Sequence, residues 1–121
     1  MPVIASLPHS GRWLPRHVYR QFRREVRDRL PGLDRHLEKL YDFLPELGVT
    51  TLYAGHSRYV VDLNRDRQNA YGSHSSSVVY AETIEGLPLY DTEPSTADVE
   101  DRIARYYDPY HRKLEGLLQH T

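Results

Sequence analysis

The run Tyr59-Val60-Val61-Asp62-Leu63 has the β-branched and aromatic make-up of a buried strand, yet it carries a carboxylate and is bracketed by Arg58 and Arg65. An ionised aspartate on an apolar strand needs a buried partner, so any fold for this chain must bring a cation or several donors to Asp62. Guanidinium forks also suit a bound carboxylate bidentately, and the Asn64 amide can add a hydrogen bond. Two readings of Arg58, Asn64 and Arg65 therefore stand side by side. In one they grip a small anionic substrate; in the other Asp62 neutralises one arginine and water solvates the other.

The 121 residues suffice for one domain with a real core and leave no room for two. Sixteen basic residues against seventeen acidic ones leave a net charge of −1, so overall charge does not point to nucleic acid or acidic lipid. Cysteine is absent, which excludes disulfides, thiol catalysis and thiolate metal sites; a metal centre would rest on histidines and carboxylates. No apolar run is long enough for a membrane span and no basic-then-apolar leader opens the chain, so a cytoplasmic protein is expected.

Charge is uneven. Eight arginines (Arg12, Arg16, Arg20, Arg23, Arg24, Arg27, Arg29 and Arg35) crowd the first third, and the stretch from Ala81 to Asp101 holds seven acids and no base. The asymmetry fits an electrostatic partner, or a solvated helix and an acidic surface segment that neutralise each other. The second reading is preferred, because arginines spaced along a helix usually lie on its wet face, and no nucleic-acid partner is expected.

Along the chain, Val3-Ile4-Ala5-Ser6-Leu7 reads as a buried strand ended by Pro8-His9-Ser10-Gly11. Val18, Phe22, Val26 and Leu30 recur every four residues, predicting a helix from about His17 to Leu30 that Pro31-Gly32 ends. A second helix is expected from about Asp34 to Leu47, with Asp34 at its N-cap, Gly48 at its stop and Pro45 distorting its last turn. Thr50–Ala54 and Tyr59–Leu63 read as strands, Asn64–Ser77 as a long loop, and Val78–Ile84 as a further strand before a Glu85-Gly86 turn. Ser95-Thr96-Ala97-Asp98 has the form of a capping box opening a C-terminal helix, which Pro109 kinks or restarts. This order implies an α/β fold, a mixed sheet with flanking helices.

A histidine just past a strand's C-terminal end, as His9 is, sits where open α/β sheets place ligands; the nearby Gly11 would let a substrate or second ligand approach the backbone. In Leu33-Asp34-Arg35-His36-Leu37-Glu38, Asp34 and His36 fall roughly 160° apart on a helix and cannot both face one ion. Asp34, at the less constrained cap, is the easier ligand, unless it only caps the helix.

Pro8-His9-Ser10-Gly11-Arg12, the stretch from Asp34 to Phe43, Ser57 through Arg65, Gly86-Leu87-Pro88-Leu89-Tyr90 and Tyr107-Asp108-Pro109-Tyr110-His111 together resemble the N-formylglutamate amidohydrolase family. The run from Arg58 to Arg65 is the most specific of these segments, and their order fits over nearly the whole chain. The resemblance implies a phosphorylase/hydrolase-like fold related to zinc carboxypeptidases and aspartoacylases, and hydrolysis of N-formyl-L-glutamate to formate and L-glutamate in histidine degradation. It implies zinc as cofactor, with His9 a ligand, and Arg58, Asn64 and Arg65 as the clamp on the substrate carboxylates. Carboxypeptidase-type sites take a glutamate three residues after the histidine; here that position is Arg12, and Asp34 becomes the expected second ligand.

The family chain is about twice as long. Its second half brings a further ligand histidine and the carboxylate expected as general base, so this chain reads as the N-terminal portion of the fold. His74, His111 and His120 have no positive claim to the third ligand position, and Glu82 and Glu85 none to the base. A sheet without its later strands would leave an open edge and an uncovered apolar face, so a homo-oligomer or aggregation-prone monomer is expected. A non-catalytic carboxylate-binding or partner-assembled module is the alternative reading.

Overall fold

The computed structural model describes residues 3–9, 11–28, 30, 47 and 49–119. The helix expected over 34–47 therefore lies outside the described residues except for Leu47, as do Asp34, His36 and His120. Strand β1 (Val3–Leu7) pairs in parallel with β2 (Val49–Tyr53), from Val3 opposite Val49 to Leu7 opposite Tyr53. The alignment continues to an isolated parallel bridge between Trp13 and His56. From Leu7 to Trp13 the chain takes six steps while its partner takes three, so three residues are looped out, and His9 rides in that loop.

Gly11 brings the loop back. A Cβ there would lie 2.3 Å from the His56 carbonyl oxygen and 2.6 Å from that of Ala54. The glycine is thus needed for the chain's own backbone at 54–56, whereas the sequence suggested that it admits a ligand. Hydrogen bonds from the Trp13 amide to the Gly55 carbonyl (3.2 Å) and from the Ser57 amide to the Trp13 carbonyl (2.8 Å) fix the crossing.

The four-residue apolar spacing marks burial correctly but not one continuous helix. Val18, Phe22, Val26 and Leu30 all face one core, yet the segment forms two short helices, α1 (Arg16–Tyr19) and α2 (Arg24–Arg27). Between them Phe22 bridges antiparallel to Tyr90, and the Arg23 amide donates to the Leu89 carbonyl at 2.7 Å. Pairing with a distant segment here takes amides that a continuous helix would use internally. Arg12, Arg16, Arg20 and Arg24 are exposed, and Arg23 reaches Asp91 of the acidic stretch at 3.4 Å.

The strand expected over 59–63 is also replaced. Val60 closes a turn onto Ser57 (3.0 Å), and the segment runs on as irregular, almost fully buried chain. Its side chains divide between two cores: Tyr59 and Val60 enter the one containing Phe22, Leu89 and Tyr90, while Val61 and Leu63 enter a second one with Val78, Val99, Ile103 and Tyr110. Burial on both sides explains the strand-like composition. The Asp62 amide pairs with the Val78 carbonyl (2.6 Å), beside a two-residue parallel pairing of β3 (Tyr71–Gly72) with β4 (Val79–Tyr80). The expected long loop therefore contains β3, and only Val79 and Tyr80 of the strand expected over 78–84 are in β4. The turn at Gly86 (φ +89°) lets Glu82 bridge back to Pro88.

Ser95 caps α3 (Thr96–Arg102), its hydroxyl accepting from the Asp98 amide at 3.1 Å. The helix widens to a π turn over Ile103–Tyr107 and continues as α4 (Asp108–Gln119). Asp108 bonds five residues back to Ile103, and the wide turn accommodates Pro109, which has no N–H and would crowd a regular turn before it. The expected interruption at Pro109 thus takes the form of a π turn immediately before it, with the chain helical on both sides. Tyr110 ties α4 to the first sheet, its hydroxyl donating to the Leu52 carbonyl (3.2 Å) and accepting from Ser6 (2.7 Å). Among the described residues no helix is long and apolar enough to cross a membrane.

Candidate active site

Asp62 is the hub that the first core, the second core and the His9 loop share. Its side chain is fully buried. Oδ1 accepts from His9 Nε2 at 2.7 Å and from the Asn64 amide at 2.9 Å. Oδ2 accepts from the Tyr80 hydroxyl and lies 3.4 Å from Arg65 Nη2. Burial pushes the Asp62 carboxyl up, but the bonds from His9, Tyr80 and Asn64 together outweigh it and hold the group below the usual carboxylate range. Burial, and then the same carboxylate, push the Tyr80 phenol well up, so it stays a donor.

A carboxylate can only accept, so in the neutral ring Nε2 of His9 carries the proton and Nδ1 the lone pair. Arg58 Nη2 lies 2.7 Å from Nδ1 and 3.1 Å from Nε2. The in-plane directions of the two ring nitrogens diverge, and no atom lies along both. The nearer contact has hydrogen-bond length, so the Arg58 guanidinium lies against the Nδ1 side of the His9 ring. The structure thus brings His9, Arg58 and Arg65 together around one buried aspartate.

Arg65 is already occupied in part. Its Nη1 donates to the Asn64 carbonyl (2.9 Å) and its Nη2 to the His74 carbonyl (3.0 Å), pinning the loop after Asp62. Helix residues hold the same loop from the other side: Tyr107 donates its hydroxyl to the Arg65 carbonyl (2.7 Å), and His111 Nε2 donates to the Leu63 carbonyl (2.8 Å). The Asn64 side chain is exposed. Beyond Arg65, His74 Nδ1 lies 2.9 Å from Glu82 Oε1, and the His74 amide donates to the same oxygen at 2.8 Å. Burial pushes the Glu82 carboxyl up, and the two bonds from His74 bring it below its ordinary value.

Sequence reasoning missed Tyr80 and the pairing of His74 with Glu82. The need of Asp62 for a buried donor was a signal for Tyr80, since a tyrosine in an apolar run supplies a donor on a hydrophobic body. Nothing in the spacing of His74 and Glu82 marks a pair, because a bend and a two-residue strand separate them.

The test of the site for a metal rests on His9. A ligand histidine characteristically donates its second ring N–H to a carboxylate, which orients the ring and raises its basicity, and the bond from His9 to Asp62 has that form. His9 therefore fits as one ligand. Asp34 lies outside the described residues, and among the described residues no three His, Asp or Glu groups gather to hold an ion. The clefts elsewhere are lined differently: one of about 480 Å³, between Arg20, Asp91, Glu93 and Asp98, shares no residue with the Asp62 cluster.

Comparison with known proteins gives one consistent result. A sequence profile described as N-formylglutamate amidohydrolase matches residues 1–121. An N-formylglutamate deformylase of Pseudomonas aeruginosa is 40% identical over 98% of this chain and 46% of its own length. One from Pseudomonas putida is 34% identical over 98% of this chain and 45% of its own. The crystal structure of N-formylglutamate amidohydrolase from Ralstonia eutropha JMP134 superposes with a TM-score of 0.74 at 26% identity, over 99% of this chain and 48% of that one. The chain spans about half the length of the curated relatives it matches.

Proposed function

Because the chain belongs to the N-formylglutamate amidohydrolase family, we propose that it forms the histidine-bearing and carboxylate-orienting wall of a zinc-dependent amide hydrolase acting on N-formyl-L-glutamate. The products would be formate and L-glutamate. We read the architecture as the N-terminal portion of a phosphorylase/hydrolase-like domain, in keeping with the parallel pairing of β1 and β2 and with His9 at its C-terminal end. The observation that carries the reading is the bond from His9 to a buried Asp62.

His9 would hold the zinc, with Asp34 as the second ligand. When bound, the metal supplies a polarised formyl carbonyl and an acidified water. The chain's own residues do the rest. Asp62 fixes the tautomer and the angle of His9, and Tyr80 and the Asn64 amide keep Asp62 ionised and immobile. Arg58, at 2.7 Å from His9 Nδ1, sets a guanidinium beside the reacting region. With Asn64 and the N–H groups of Arg65 not given to backbone carbonyls, it would grip the carboxylates of the substrate and fix the formyl group for attack.

Zinc titration by calorimetry, together with formate release from N-formyl-L-glutamate with and without a chelator, tests the reading. Asp62→Asn should weaken zinc binding about 10–100-fold, and His9→Ala should abolish both zinc binding and release. Zinc affinity indifferent to both substitutions, or formate release that survives chelation, would refute the metal role. Binding of glutamate derivatives without formate release would instead favour a non-catalytic carboxylate-binding module.

A further inference from the structure

We propose that the seam between the arginine-bearing helices α1 and α2 and the acidic stretch is a surface on which two copies of this chain pair about a two-fold axis. The two segments lie side by side. Phe22 bridges antiparallel to Tyr90, and the Arg23 amide donates to the Leu89 carbonyl at 2.7 Å. Arg20 lines the same cleft of about 480 Å³ as Asp91, Glu93 and Asp98. Yet the segments hardly neutralise each other. Among the described residues one ion pair joins them, Arg23 with Asp91 at 3.4 Å, and the Asp91 side chain is still 86% exposed. Arg12, Arg16, Arg20 and Arg24 are exposed and form no ion pair among the described residues, and the same holds for Glu85, Glu93 and Glu100. Unspent cations thus stand on one side of the seam and unspent anions on the other.

Such a surface complements itself in one orientation. With the two-fold axis running along the seam in the plane of contact, the basic side of each copy faces the acidic side of the other, and every contact across the interface occurs twice. With the axis at right angles to the seam in that plane, like charges would meet and repel. The cations form a row, since Arg16 lies one helical turn before Arg20 and its carbonyl accepts the Arg20 amide at 3.0 Å. Guanidinium forks in a row suit a row of carboxylates. Charge sets orientation more than affinity, and apolar area is at hand: Ile84 and Leu87 are 36% and 49% exposed on the turn that leads into Leu89. The contact is distinct from pairing through an open sheet edge and stands apart from the hydrolase reading.

Sedimentation velocity over a range of protein concentrations, at about 0.01 M and about 1 M salt, tests the pairing, because charges are felt over roughly 30 Å in the first and 3 Å in the second. The chain should form a dimer whose dissociation constant rises at least about 10-fold at the higher salt. Arg20→Glu and Glu93→Arg each change an exposed side chain, and unchanged thermal midpoints would show that both variants fold. Each alone should weaken self-association about 10-fold or more, since like charges then meet at two symmetric places. An equimolar mixture should associate again about as well as wild type, because the mixed pair carries both contacts with their signs exchanged. A chain that stays monomeric at low salt, or a mixture no better associated than its components, would overturn the pairing. So would assembly that grows beyond the dimer with concentration, which marks a head-to-tail contact. A dimer indifferent to salt and to both substitutions would overturn it too, and would place the contact at the sheet edge.

Discussion

Gly11 shows how much one missing carbon can decide. The loop carrying His9 returns across residues 54–56 so closely that a Cβ would meet the Gly55 carbonyl carbon at 2.4 Å as well as the two flanking oxygens, all of them backbone. Backbone cannot rotate away as a side chain can. Gly11→Ala should therefore cost about 1–3 kcal/mol or more and shift His9 off Asp62. Gly55→Ala, whose new methyl meets nothing within 4 Å, should stay within about 0.5 kcal/mol of wild type. Urea denaturation of the two variants checks the contrast, and equal stabilities would show that the crossing is not as tight as described.

Among the elements, α3 is fastened to the first core by a single buried cation. Arg102 is fully buried, donating to the Tyr90 hydroxyl (2.8 Å) and to Gln21 Oε1 (2.5 Å), with Asp98 at 3.7 Å as its counter-charge. Its neighbours Val99 and Ile103 belong to the other core, so this side chain clasps the two together. Arg102→Ala should destabilise the chain by about 3–5 kcal/mol, and Arg102→Lys should recover little, since an ammonium lacks the fork that reaches two partners. A thermal midpoint for Arg102→Lys equal to wild type would contradict this. None of it was legible in the sequence, where Arg102 is one arginine on a helix. What was legible follows from short-range rules: the strand from Val3 to Leu7, its β2 partner, the cap at Ser95 and the turn at Gly86. The breaks at 20–23 and 57–63 were hidden because the amides there answer to Leu89 and Val78, far along the chain. For the site, Arg58, Arg65 and His9 stood out by residue type and place, whereas Asp62 as their common centre needed three dimensions.

Among the described residues, two buried groups of opposite chemistry make stability depend on pH. Burial holds the His56 imidazole below its ordinary value, against the pull of the Ser57 and Tyr106 carbonyls. The unfolded chain then binds the proton more readily, so this stabilisation is complete above about pH 6.5 and declines as pH falls from there towards the lowered value. Asp62, also lowered, contributes above the ordinary carboxylate value of about 4 and is lost as pH falls through its own. The thermal midpoint should decline in two stages on acidification; His56→Gln should flatten the first and Asp62→Asn the second. A first stage unchanged in His56→Gln would show that another histidine governs it.

The π turn at Ile103–Tyr107 has a consequence of angle. One surplus residue retards the spiral by about a quarter of a revolution, which swings Tyr107 and His111 round beneath the carbonyls of Arg65 and Leu63 while Tyr110 keeps its hold on Ser6 and Leu52. Proline at 109 thus serves as the chain's gearing: a tooth added on one side of the molecule sets the phase at which the loop behind Asp62 is gripped on the other.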